Sequence, residues 1–78
     1  MIVADQIRAA RSMLGLTQAA LAKAAGLSTT GLNNIERGMA DPKASTLRAI
    51  QGALEEAGII FLSEGETTAG GRGVRLRG

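Results

Sequence analysis

Four stretches of the chain place apolar residues at helical spacing, and each is bounded by residues that start and stop helices. On a wheel of about 100° per residue, Val3, Ile7, Ala10 and Leu14 share one face of segment 4–14. Arg11 lies at the margin of that face, and Gly15 closes the segment. Thr17 is a suitable N-cap for a helix over 17–25, which presents Leu21, Ala22 and Ala25 inward and stops at Gly26. Ser28 caps a third helix over 28–37 with Leu32 and Ile35 inward and Gly38 as its stop signal. Only Gly26 and Leu27 separate the second helix from the cap of the third, so the pair reads as a tight helix–turn–helix. Pro42 marks the loop that follows. Ser45 is the expected cap of a fourth helix running to Ala57, with Leu47, Ile50, Ala53, Leu54 and Ala57 as its apolar stripe.

The period changes after Gly58. Ile59, Ile60, Phe61 and Leu62 form a short, partly β-branched apolar run, and Val74-Arg75-Leu76-Arg77 alternates apolar and basic. Both read as strands. The polar, glycine-rich residues 63–73 between them read as a loop or turn. The chain therefore divides into a helical domain over 1–58 and a C-terminal β extension over 59–78.

Composition narrows what this arrangement can do. The chain has 78 residues, no cysteine and no histidine, so disulfides and ordinary zinc sites are excluded and no metal or cofactor is implied. Without those groups or paired carboxylates in a pocket, an enzyme is not expected. The single aromatic, Phe61, and the many alanines suit thin, closely packed helices. No apolar run is long enough to span a bilayer, and the first residues lack the pattern of a secretory signal. A cytoplasmic protein, nucleoid-associated when bound to DNA, is the expectation. A small domain of this kind buries too little surface to be robust alone, which makes oligomerisation a natural supplement.

The net charge is +2, unevenly spread. Residues 1–54 are basic on balance, residues 55–66 carry Glu55, Glu56, Glu64 and Glu66 without a base, and Arg72, Arg75 and Arg77 follow. Such a front half permits nucleic-acid binding without demonstrating it. The third helix is more informative. Thr29, Thr30, Asn33, Asn34 and Arg37 fall in one sector of its wheel, an outward face of hydroxyls, amides and a guanidinium. These are the groups that hydrogen-bond base edges in a major groove, where a merely solvated face would more often carry Glu and Lys. Gly31 lies on the inward flank. A glycine there suggests close approach to the second helix, with small Ala22 opposite. Arg8, Lys23 and Arg48 read as solvated charges, and Met13 and Met39 as packing residues.

Gly15-Leu16-Thr17-Gln18, Leu21-Ala22, Gly26, Leu32, Ile35-Glu36 and Gly38 occur at a spacing that resembles the helix-turn-helix of the Cro/C1-type family, also called the XRE family. The resemblance extends more loosely over residues 4–57. It implies a mainly α, four- to five-helix, lambda-repressor-like DNA-binding domain with a short C-terminal β-hairpin or strand pair. It also implies roles. Thr29, Thr30 and Asn34 match base-reading positions, with Asn33 their neighbour. Gln18 matches a glutamine that bonds phosphate and buttresses the recognition helix. Thr17, Ser28, Arg37, the amides near Gly38 and Met39, and Lys43 match the phosphate-gripping surroundings. Arg11 and Glu36 match a partly buried structural ion pair. Many relatives carry glutamine where this chain has Thr29 and Thr30, so their target sequences do not transfer.

One such domain reads too few base pairs for specificity, and the family's solution is a two-fold dimer on half-sites about 34 Å apart. The expected function is therefore a sequence-specific transcriptional regulator, a repressor by resemblance, binding double-stranded DNA at an inverted repeat as a homodimer. Ile59, Ile60, Phe61, Leu62, Val74 and Leu76 are the candidate dimerisation residues, on the reasoning that a lone hairpin cannot bury them. Gly58-Ile59-Ile60-Phe61 and Gly73-Val74-Arg75-Leu76 also resemble strands that follow the fourth helix in small family members. Deleting 59–78 should then yield monomers. The alternative is an antitoxin or similar regulator that binds DNA with the same core and uses the extension to hold a heterologous protein partner.

Overall fold

The computed structural model describes residues 1–62 and 73–77. Four helices and two strands follow in chain order: α1 (Ala4–Leu14), α2 (Gln18–Ala25), α3 (Thr29–Glu36), α4 (Ala44–Glu56), β1 (Ile59–Leu62) and β2 (Gly73–Leu76). The helix boundaries follow the local chemistry. Thr17 Oγ1 accepts the Ala20 N–H at 3.0 Å, and Ser28 Oγ accepts the Gly31 N–H at 2.9 Å. Each hydroxyl satisfies one of the donors that the first turn of a helix leaves without a partner. Gly26 adopts φ 74°, a left-handed conformation that costs glycine little. It allows the Leu27 N–H to close back on the Ala22 carbonyl at 2.8 Å, so Ser28, the cap of α3, follows a two-residue turn.

The fourth helix begins earlier than its polar residues suggest. Its N-cap is Lys43, in extended conformation and with no side-chain cap bond, and Ser45 lies within the first turn. Proline restrains the residue before it rather than the one after, so Pro42 does not delay the helix. The Leu47 N–H reaches the Lys43 carbonyl at 3.1 Å and starts the ladder.

One apolar core joins all four helices and the first strand. Ile7 and Ala10 of α1, Leu21 and Ala22 of α2, Leu32 and Ile35 of α3, Ile50 and Leu54 of α4 and Ile59 of β1 are all buried in it. The helical residues among them are the inward positions of the sequence wheels, at the spacing that brings one stripe per helix to a common centre.

The strands form an antiparallel pair with Ile59 opposite Leu76, Ile60 opposite Arg75, Phe61 opposite Val74 and Leu62 opposite Gly73. Ile59 is 1% exposed, and Phe61 and Val74 pack against the same core. The hairpin is thus not an appendage with both faces free: the helical domain covers one of them. Ile59, Phe61 and Val74 of the C-terminal extension share the core of the helices. Of the glycine-rich segment 63–73 that the sequence reads as a loop, Gly73 opens β2, and residues 63–72 lie outside the described residues.

Gln6 holds the hairpin to α1. Its Oε1 accepts the Val3 N–H at 2.9 Å, and its Nε2 donates to the carbonyls of Leu62 at 3.2 Å and Gly73 at 3.1 Å. One buried amide therefore ties the start of the first helix to the paired ends of both strands. Gln6→Leu should leave these backbone groups short of partners and lower stability by about 1–3 kcal/mol. Amide hydrogen exchange should show the largest loss of protection in β1 and β2. Unchanged protection there would remove the clamp role.

Candidate nucleic-acid interface

The second and third helices present their N-terminal turns and the outward side of α3 to the same surroundings. Thr29 and Thr30 are exposed at the start of α3, Asn33 and Asn34 are half-buried one turn on, and Arg37 is exposed at its end. Thr17, Ser28 and Lys43 are exposed as well. The capping bonds use the hydroxyl oxygens of Thr17 and Ser28 as acceptors, which leaves both hydroxyl hydrogens for an outside acceptor such as a phosphate oxygen. The N–H groups of Gln18 and Ala19 in the first turn of α2 are directed the same way by helix geometry, a standard arrangement for an anion.

Behind this surface is a polar network that fixes α3. The Arg11 guanidinium grips the Glu36 carboxylate through two nitrogens, Nε to Oε2 at 2.9 Å and Nη2 to Oε1 at 3.0 Å. Its Nη1 donates to the Leu16 carbonyl at 3.0 Å. The Glu36 side chain is 2% exposed and that of Arg11 25% exposed. A carboxylate this deeply placed needs its cation, and the bidentate geometry supplies both charge and direction. The pair connects α1 to the last residue of α3.

Gln18 enters the network from α2. Its Nε2 donates to Glu36 Oε1 and to Asn33 Oδ1, each at 3.2 Å. Both amide hydrogens are spent inside the chain. The side chain can therefore buttress α3, but the donor that Gln18 has left for a phosphate is its main-chain N–H. The amides at the end of α3 are likewise engaged. Gly38 donates to the Ile35 carbonyl and Met39 to the Asn34 carbonyl, at 3.1 and 2.9 Å. They close the helix, which leaves the side chains of Arg37 and Lys43 as the groups of that loop open to an outside partner.

Three details differ from the sequence reading. Arg8 is more than a solvated charge: its guanidinium donates to the main-chain carbonyl of Glu36, a partner that leaves no trace in side-chain patterns. Gly31 is not required by α2. A Cβ there would meet Ser28 Oγ at 3.0 Å and nothing from the second helix within 4 Å. The cap hydroxyl lies over the Gly31 amide and occupies that space. Met39 and Met13 are exposed rather than packed. Among the described residues there is no group of acidic side chains suited to a metal ion, and no helix is long and apolar enough to cross a membrane.

Comparison with known proteins matches this geometry to a family. A helix-turn-helix family model matches residues 7–57. The chain is 46% identical over 54 residues to the immunity repressor protein of Bacillus phage phi105. That alignment covers 69% of this chain and 38% of the phage protein, so the chain spans well under half the length of this relative. The solution structure of the DNA-binding domain of the P22 C2 repressor superposes with a TM-score of 0.65 at 34% identity. That match covers 70% of this chain and 72% of the P22 domain.

Proposed function

Because the chain belongs to the helix-turn-helix family of Cro/C1-type DNA-binding regulators, we propose that it is a sequence-specific repressor that reads an inverted-repeat operator as a homodimer, with α3 in the major groove. The observation that carries the reading is the outward face of α3. Thr29, Thr30, Asn33 and Asn34 stand on a helix that α1 and α2 anchor through Arg11, Glu36 and Gln18. A base-reading surface needs hydrogen-bonding side chains and a fixed frame, and this helix has both. Thr29, Thr30, Asn33 and Asn34 face bases. The main-chain N–H of Gln18, the hydroxyls of Thr17 and Ser28, and the cations Arg37 and Lys43 face phosphates. In this reading Arg11 and Glu36 contact no DNA and hold the helix.

The same reading narrows the dimer interface. Ile59, Phe61 and Val74 are occupied by the chain's own core. Ile60 and Leu62 share the opposite face of the sheet, and Leu76, across from Ile59 on the core side, is nonetheless 50% exposed at the end of β2. These three residues are the proposed contacts with a second copy across a two-fold axis, which would cover both the apolar face and the exposed end of β2.

Selection of bound sequences from a random DNA pool tests the proposal. An enriched inverted repeat is expected, and the absence of any enriched motif at moderate salt would refute it. Binding to the enriched duplex should weaken with salt. With Arg37 and Lys43 of both protomers each neutralising a phosphate, log K should fall against log salt with a slope of about −4. Lys43→Ala should make that slope shallower by about 2 in the dimer while leaving the preferred sequence unchanged.

A further inference from the structure

Hydrogen-bond polarity runs in one direction through the network behind α3. Glu36 begins it. Its carboxylate is ion-paired with Arg11 and accepts from two guanidinium nitrogens. An ionised carboxylate has acceptors only, so the Gln18 amide that approaches Glu36 Oε1 must turn its NH2 toward it. The same NH2 faces Asn33, and a donor there needs the Asn33 oxygen as its partner. The Asn33 carbonyl is thereby held against α2, and its NH2 is left on the outward side. Each orientation follows from the group before it, beginning with a charge that cannot donate.

We propose that Asn33 is a specificity-determining residue that presents donors only. It is half-buried, as a side chain with its oxygen directed inward and its nitrogen outward would be. An asparagine that recognises adenine uses both ends of its amide, accepting from N6 and donating to N7. With Oδ1 directed at Gln18 on the α2 side, it does not lie beside the NH2 against a single adenine, so that bidentate contact is closed to Asn33. The edge that suits an outward NH2 is one made of acceptors, and guanine with N7 and O6 provides two. Gln18 acts here as a positioning residue: it touches no base, and it decides which base Asn33 prefers. The inference rests on the reading of α3 as the base-contacting helix and adds a sign to one of its contacts.

Selection from a random DNA pool, run in parallel on the unaltered chain and on N33A, N33D and Q18A, tests both levels. The unaltered chain should show a guanine-preferring column that N33A flattens by about tenfold or more. N33D keeps an oxygen for Gln18 and places a second one outward, so that column should switch toward cytosine, whose N4 donates. Q18A releases the Asn33 amide, and the ratio of adenine to guanine in that one column should rise about tenfold relative to the other columns. Using the ratio separates the effect from a general weakening, and thermal unfolding of each variant confirms that it is folded. If N33A alters no column, Asn33 does not face a base and the proposal falls with that part of the reading. If N33A flattens a column that prefers adenine, or Q18A leaves its adenine-to-guanine ratio unchanged, the base contact stands and the donor-only assignment is overturned.

Discussion

Arg11→Ala should unfold most of the protein under mild conditions, at a cost of about 3–5 kcal/mol, because it leaves the buried Glu36 carboxylate without its cation. A single-core domain of this size has a total stability of only about 3–5 kcal/mol. The two partners are not equivalent. Glu36→Gln removes the charge that most needs compensation and leaves Arg11, a quarter exposed, able to reach water. It should cost less, about 1–2 kcal/mol. Urea titrations followed by circular dichroism would measure both. The order is diagnostic: equal losses would mean that desolvation of Glu36 is not the controlling term. Because the pair fixes the C-terminal end of α3, operator affinity should fall for both variants even at temperatures where they remain folded.

Truncation after Gly58 should likewise destroy the cooperative fold rather than release a folded monomer. Ile59 is buried in the common core, and full burial of an isoleucine side chain contributes about 1.5–3 kcal/mol. Phe61 and Val74 add further apolar cover, and Gln6 would lose two of its three partners. The loss approaches the whole stability of a small domain. A truncated chain that kept a sharp thermal transition near that of the full chain would contradict this. The consequence for the dimer is practical. Its test is Ile60→Lys combined with Leu76→Lys, which leaves the core residues Ile59, Phe61 and Val74 in place. Sedimentation should show the unaltered chain as a dimer and the double variant as a monomer with near-normal melting. A monomeric unaltered chain at micromolar concentration would remove the interface from the account.

The helices were legible because their signals are local. Thr17, Ser28 and Gly26 act within three or four residues, and the apolar stripes need only the helical period. The strand pair was legible for the same reason, from a change of period after Gly58. What the sequence hid depends on distance in the chain. Gln6 has an unremarkable place in α1, and its partners Leu62 and Gly73 lie 56 and 67 residues away. Arg8 and the Gly38 and Met39 amides meet main-chain groups, which every residue type carries. Gly31 shows the limit of reading a single residue: its wheel position suggested helix crossing, whereas the space beside it is taken by its own cap. Within the candidate site, wheel geometry grouped Asn33 with Thr29, Thr30 and Asn34. It could not show that Asn33 is also bonded to Gln18, since that bond depends on how α2 crosses α3.

A nitrogen-15 NMR titration of the full chain with its enriched duplex is the most direct measurement of where DNA sits. Amide shifts should concentrate at residues 17–19 and 28–34, with smaller changes at Arg37 and Lys43 and little change on the outer face of the hairpin. Shifts concentrated on α4 and β1 with α3 undisturbed would contradict the claim that α3 is the helix that reads DNA.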